Sequence, residues 1–246
     1  MTRATLPMKD RGRPLVITTP RPIIIAIDGP AGTGKSSVAR ELARRLGLDF
    51  LDTGAMYRAA AAIVIDRQVP RDEVGQVVKM VASADLKFDW SGDPPRILAW
   101  DRPIDHRIRD ADVTEIVSQI ASIPELRRHM VAKQRLIAEQ HRRLVTEGRD
   151  QGSEVFPDAA LKFYLDADPA VRARRRIEQL RAKGVAPAAE SAMLEEIVGR
   201  DRSDSSRAVG PLVCPDDAVR VDTSSLNFEQ VVNLLEDQVR ERVAAL

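Results

Sequence analysis

Ile23, Ile24, Ile25, Ala26 and Ile27 form an unbroken apolar run of mostly β-branched side chains. Such a run suits a central parallel strand covered on both faces. Residues 28–34 read as a turn. After it, Val38, Ala39, Leu42, Ala43 and Leu46 recur at helical spacing until Gly47 stops the helix. Residues 49–51 predict a short second strand. An alanine-rich helix is predicted over 53–65, its first turn being Asp52-Thr53-Gly54. The alanines Ala59 to Ala62 fit close helix packing.

From about Asp66 to Asp112 the texture changes. Residues 86–90 and 96–100 alternate apolar with polar positions around Ser91-Gly92-Asp93-Pro94-Pro95, which predicts an antiparallel hairpin with a longer loop. The stretch interrupts a strand–helix chain and reads as a small inserted subdomain, with Trp90 and Trp100 packing its sheet. Residues 113–143 are helical in pattern, broken near Pro124. Residues 144–147 and 161–165 predict further core strands, and 169–183 and 188–200 two charged helices around Gly184. A last strand at 219–221 precedes a helix starting near Asn227, where Asn227 and Gln230 have capping-box spacing. No internal repeat is visible. Strands alternating with helices predict an α/β fold with a mainly parallel sheet.

The 246 residues allow one large domain, or one domain with a sizeable insertion. Lys+Arg 38 against Asp+Glu 37 leaves a net charge of +1, so no global field draws nucleic acid or a membrane surface. Any anion handled here must be gripped locally. Aromatics at 4% argue against a stacking platform for single strands. The single cysteine, Cys214, excludes an internal disulfide and fits a reducing compartment. His106, His129 and His141 make no zinc spacing and read as surface or structural groups. No apolar run approaches the ~18 residues of a membrane span. Residues 1–20 carry Arg3, Lys9, Arg11 and Arg13 without a sustained apolar segment, so a flexible basic tail and a cytoplasmic protein are expected.

Gly29-Pro30-Ala31-Gly32-Thr33-Gly34-Lys35-Ser36 fits GxxxxGK[ST] at every defined position, after a buried strand and at the start of a helix. Its glycines let backbone N–H groups close around phosphate oxygens, and the helix N-terminus adds partial positive charge. Lys35 reaches the β- and γ-phosphates in such loops, and the Ser36 hydroxyl suits Mg2+. The motif marks a nucleoside triphosphate site and leaves open what is done with it. Elsewhere arginines stand in turn-like settings. Thr53 and Tyr57 are four apart on one helical face with Arg58 adjacent. Glu147-Gly148-Arg149-Asp150 follows a predicted strand end, where α/β proteins bind ligands. Arg200-Asp201-Arg202-Ser203-Asp204-Ser205-Ser206-Arg207 is a dense charged segment.

Together, residues 29–37, Asp52-Thr53-Gly54-Ala55-Met56-Tyr57-Arg58, Glu147-Gly148-Arg149-Asp150, Val155-Phe156-Pro157-Asp158-Ala159 and Arg200-Asp201 with Asp204-Ser205, Arg207 and Pro211-Leu212 resemble bacterial cytidylate kinases. The blocks occur in that family's order and at close to its spacing, from Ile23 to the C-terminus. The resemblance implies a nucleoside monophosphate kinase fold with a five-stranded parallel core over 21–65, 113–168 and 208–246. It also implies a CMP-binding insertion at about 66–112 and a helical lid at about 169–207. Its implied activity is phosphorylation of CMP and dCMP by ATP with Mg2+; a monomer is expected. Residues 29–37, ending in Ser37, would bind ATP. Lys35, Arg149, Arg200 and Arg207 would carry the transfer. Thr53, Tyr57, Arg58, Arg149 and Arg207 would hold the CMP phosphate and sugar, Asp204 the ribose hydroxyls, and Ser118, Arg127 and Asp150 the cytosine. Cytosine offers an amino donor at N4 and acceptors at N3 and O2, which an aspartate and an arginine complement. Uracil reverses two of these positions, which mispairs a buried aspartate at a cost of about 1–3 kcal/mol.

Two departures stand out. Gln151-Gly152-Ser153-Glu154 replaces the more usual Ile-Gly-Thr-Val, bringing an extra acid near the centre, and the N-terminal tail is longer than usual. Arg172, Arg174, Arg175 and Arg176 resemble the lid's basic helix without showing which meets ATP. Rival readings are weaker. A GTPase needs an NKxD segment, and none occurs. Residues 161–166 end in Asp as an ATPase strand would, but no Glu follows. Another small-molecule kinase of the UMP/CMP type is the nearest alternative.

Overall fold

A computed structural model of the chain describes residues 22–182 and 184–244. The expected tail at 1–20 lies outside the described residues. In chain order the elements are β1 (Ile23–Asp28), α1 (Lys35–Leu46), β2 (Asp49–Asp52), α2 (Thr53–Asp66), α3 (Val74–Ser83), β3 (Lys87–Asp89), β4 (Arg96–Ala99) and β5 (Arg102–Pro103). They continue with α4 (Ala111–Ala121), α5 (Pro124–Gln140), β6 (Arg143–Glu147), β7 (Leu161–Asp166), α6 (Pro169–Ala182), α7 (Glu190–Ser205), β8 (Val219–Asp222) and α8 (Phe228–Ala244). A π-helical turn, Gln151–Val155, sits between β6 and β7.

The main sheet is five-stranded and parallel, ordered β2-β6-β1-β7-β8. The apolar run of β1 lies in its centre, with Ile25 opposite Val145 on one side and Leu161 on the other. Helices α1 and α8 cover one face, where Leu42, Leu46, Val232 and Leu235 pack on Ile25, Ile27 and Phe163. The other face carries α2 to α5 around Met56, Ile63, Ile120 and Met130. Register aligns the strand ends. Ile27 pairs with Glu147, and Asp52 pairs with the same Glu147, so β1, β2 and β6 end at one level. The loops leaving those ends converge, as expected at the carboxyl edge of a parallel sheet.

The stretch after Asp66 holds more than the expected hairpin. Strands β3 and β4 do pair antiparallel across the 90–95 loop, and β5 adds a third strand. The helix α3 was not anticipated: its pattern is short, and the glycine at Gly75 weakens it. Val77 and Val81 of α3 are fully buried in the same core as α2, α4 and α5, and Ile97 and Ala99 of β4 join them. The insertion therefore shares its hydrophobic core with the body. Trp90 does not pack within the small sheet alone; it stacks on His141 at 3.8 Å between ring centroids, and His141 Nδ1 lies 2.9 Å from Asp49 Oδ2. Trp100 faces outward at 37% exposure with Arg67 over its ring, which corrects the expectation that it packs the sheet. The helical stretch is broken where Pro124 opens α5. At α8 the capping box is complete: Asn227 N donates to Gln230 Oε1 and Gln230 N to Asn227 Oδ1, each at 2.9 Å.

Candidate active site

The loop between β1 and α1 owes its shape to glycine. Gly32 and Gly34 have φ of 82° and 88°, where side chains are strained, and a Cβ on Gly29 would collide with the Leu165 carbonyl of β7. Lys35, the first residue of α1, turns back into the loop. Its Nζ donates to Pro30 O at 2.7 Å and approaches Thr33 Oγ1 at 3.4 Å. Burial pushes its pKa down to about 7, and the nearby Arg149 charge adds to the effect. A cation this reluctant to be charged alone is one that an entering polyphosphate would restore.

Beside the loop stand two carboxylates. Asp52 Oδ1 caps α2 by accepting from Ala55 N at 2.8 Å, while Oδ2 lies 3.5 Å from the Ser36 hydroxyl. Glu147, opposite Asp52 in the sheet, is buried, and burial together with the Asp52 charge raises its pKa. Thr53 Oγ1 donates to Glu147 O at 2.7 Å and fixes the strand end. The two acids repel, Lys35 and Arg149 offset that only in part, and a divalent ion would relieve the rest. Among the described residues no cluster of three or more His, Cys, Asp or Glu makes a metal centre. The hydroxyl of Ser36 with the Asp52 and Glu147 oxygens fits a hard cation of the Mg2+ kind, which takes few protein ligands and shares its shell with phosphates and water.

A cleft of about 730 Å³ runs past this loop, and Arg58, Arg149, Arg176 and Arg200 line it together with Lys35, Ser36 and Ser37. Arg58 reaches it from α2, its Nη1 donating to Thr114 Oγ1 at 3.1 Å. Burial lowers the Arg58 pKa, and burial with the Arg149 charge lowers that of Arg200 to about 10. Cationic groups have thus been crowded out of water with too few anions to match. Arg109 of the insertion also faces the cleft. Sequence reasoning did not single it out.

Behind the cleft wall lies a second polar layer. Arg149 Nε donates to Asp204 Oδ2 at 2.9 Å, and Arg207 pairs with Asp204 Oδ1. Arg127, almost wholly buried, pairs with Asp150 and places its guanidinium carbon 5.1 Å from the Tyr57 ring centroid. The Nε atoms of Arg127, Arg200 and Arg207 are buried without a hydrogen-bond partner among the described residues, as is the Tyr57 hydroxyl. Ser118 is half-buried on α4 and stands outside the cleft wall. The arginines anticipated from sequence are therefore brought together, Arg58, Arg149 and Arg200 in the wall and Arg127 and Arg207 just behind it.

Arg172, Arg174, Arg175 and Arg176, four of the five arginines of α6, divide. Arg172 is buried and donates to Ala31 O and Ala167 O at 2.9 Å each, and to Asp201 at 2.5 Å. Asp201 in turn accepts from Ala31 N at 3.2 Å, tying α7 to the phosphate loop. Arg175 holds Thr223 O, and Arg174 is exposed. Only Arg176 of the four lines the cleft. The unusual 151–154 segment is also explained. Gln151 is fully buried, accepting from Thr146 Oγ1 at 2.8 Å and donating to Gln134 Oε1 at 3.1 Å, while Glu154 is exposed. The extra acid turns away from the centre.

Parallel sheet, phosphate loop and crowded arginines together define a phosphate-loop kinase acting on a small anionic acceptor. The family described as cytidylate kinase matches residues 25–241. A cytidylate kinase of Methylococcus capsulatus is 41% identical over 211 residues, covering 86% of this chain and 94% of that protein. One from Mycobacterium avium is 42% identical over 220 residues, covering 89% and 96%. A bifunctional pantoate ligase/cytidylate kinase of Acaryochloris marina is 39% identical over 222 residues, which are 42% of its length. The chain belongs to the cytidylate kinase family.

Proposed function

We propose that the protein transfers the γ-phosphoryl group of ATP to CMP, and to dCMP, in the cytoplasm and as a monomer. The observation that carries this is the clustering of Arg58, Arg149 and Arg200 in one cleft with the Lys35 loop, where burial disfavours the charges of Arg58 and Arg200 and a bound polyanion would satisfy them. The attacking group is a phosphate oxygen, already ionised because its second pKa is near ~6, so no side chain has to remove a proton. The task is to bring two polyanions together, and planar, permanently charged guanidinium groups suit it.

In this reading residues 29–37 cradle the triphosphate, with Lys35 on its outer phosphates. Arg58 and Arg149 hold the acceptor phosphate, and Arg200 and Arg207 stabilise charge spread over the moving phosphoryl group. Tyr57 and Thr53 shape the acceptor pocket, Asp204 takes the ribose hydroxyls, and Arg127, Asp150 and Ser118 read the cytosine. Ser36, Asp52 and Glu147 would hold Mg2+, which would neutralise negative charge on the triphosphate. The body spans about 21–65, 113–168 and 208–246, the acceptor insertion about 66–112. The α6–α7 hairpin, about 169–207, acts as a lid that excludes water. No helix among the described residues is long and apolar enough to cross a membrane.

The test is ADP release from Mg·ATP with CMP, dCMP, UMP and AMP in parallel. CMP and dCMP are expected well ahead. Equal rates with AMP would refute the assignment of base recognition.

A further inference from the structure

Asp28, the last residue of β1, stands one position before the phosphate loop, yet its side chain points across the sheet to the other substrate's segment. Its Oδ1 accepts from Gln151 N at 2.8 Å and its Oδ2 from Gly152 N at 2.7 Å. Those two N–H groups open the π-helical turn directly after Arg149 and Asp150. At 1% exposure the carboxylate has no water to fall back on, and a buried charge is tolerated only where donors such as these meet it. The receiving end is equally tight. A Cβ on Gly152 would stand 3.1 Å from Lys162 Cδ and 3.4 Å from Asp28 Oδ2, so a methyl group there presses the turn and the Lys162 stem apart beside the Asp28 carboxylate.

We infer that Asp28 is a positioning residue for the acceptor: its carboxylate clamps the Gln151 and Gly152 amides and so sets where Arg149 and Asp150 stand. This rests on the reading of Arg149 and Asp150 as acceptor groups. Those two residues follow β6 on a loop, and loops place side chains loosely unless something ties them down. A displacement near 1 Å at such a group costs on the order of 100-fold in rate.

The experiment compares Asp28→Asn and Gly152→Ala with the parent enzyme in steady-state assays, varying CMP and Mg·ATP separately. Gly152→Ala leaves every charge in place, so it separates the clamp from the electrostatic effect of Asp28 on Lys35. Both variants are expected to raise KM for CMP about tenfold and to lower kcat, with KM for ATP changed less than about twofold. Equal changes in both KM values, or an unchanged KM for CMP, would overturn the proposal, because general loosening next to the loop would strike ATP at least as hard. Asp150→Asn and Arg149→Ala are run alongside; if both leave KM for CMP unchanged, the acceptor-site reading fails and the clamp with it. Should neither clamp variant fold, amide hydrogen exchange in the parent chain decides. Gln151 and Gly152 protected as strongly as β1 supports the clamp, and rapid exchange there overturns it.

Discussion

Asp204 accepts from Arg149 Nε at 2.9 Å through one oxygen and pairs with Arg207 through the other, so a single buried carboxylate joins the β6 loop to the segment after α7. Burial opposes its charge, but Arg149, Arg207 and Arg200 outweigh that and hold its pKa below the usual carboxylate range. The end of α7 and the β6 loop are thus tied by an ion triad inside the proposed transfer site, and its arginines are placed before substrate arrives. Arg207→Ala leaves Asp204 its Arg149 partner, so folding is expected to survive. Turnover is expected to fall by about 100- to 1,000-fold, the usual effect of deleting one group that stabilises transition-state charge. A coupled ADP assay beside a thermal melt checks both, and activity within about threefold of the parent would remove Arg207 from the site.

Lys35 gives a pH signature. Its pKa in the free chain is lowered to about 7, first by burial and then by Arg149, so at pH 8.5 it is largely neutral. A triphosphate favours the ammonium form, and ATP binding at that pH is expected to take up close to one proton. At pH 6 Lys35 is already charged and the uptake disappears. The depressed lysine also costs folding stability, in full below about 7, and the cost fades as pH rises toward the unfolded value. Titrating Mg-free ATP in buffers of high and low ionisation enthalpy measures the uptake, and Lys35→Met should abolish it. Equal enthalpies in the two buffers at pH 8.5 would contradict the assignment.

The α8 capping box offers a contrast remote from the chemistry. Asn227→Ala removes the acceptor for Gln230 N and one half of the reciprocal pair. A loss of about 1 kcal/mol is expected, with kcat and both KM values unchanged. In a chain of this size that is a fall of about 2–4 °C in Tm. A change in KM would mean that α8 communicates with the cleft.

Much of the candidate site's arrangement was legible in the sequence. The phosphate loop was, because glycines, lysine and serine at fixed spacing have one common use, and β1 was, because a short β-branched apolar run closed by a glycine turn suits a buried strand. Arg58, Arg149, Arg200 and Arg207 were marked by the family pattern around them. What escaped was anything whose meaning lies in a partner far along the chain. Asp28 looks like a turn residue until Gln151 and Gly152, more than 120 positions away, are seen donating to it. Asp52 and Glu147 become a pair only through the parallel register of β2 and β6. Among its arginines, α6 buries Arg172 against Ala31 and turns Arg176 to the cleft, a division that depends on helix rotation rather than residue type. The helix α3 was missed because its ten residues contribute only Val77 and Val81 to full burial, too sparse a pattern to read.

Gly210 is a position where a single methyl group should reach the acceptor base. It has φ of 58°, and a Cβ there would run into Asp150 Oδ2 and the Arg127 guanidinium. Those two make the buried ion pair assigned to cytosine, and forcing a buried pair apart exposes each charge to an interior without water, at a cost of up to about 3–5 kcal/mol. Gly210→Ala is therefore expected to raise KM for CMP about tenfold or more, to narrow the preference for CMP over UMP, and to lower Tm, while KM for ATP stays within about twofold. Gly47→Ala supplies the comparison. It has φ of 62° with nothing within 4 Å of an added Cβ, so it carries the backbone strain of about 1 kcal/mol and no collision. If the two variants lose the same stability and leave KM for CMP alike, the strain of a left-handed residue explains Gly210 completely. The Arg127–Asp150 pair would then lie outside the path from Gly210 to the base.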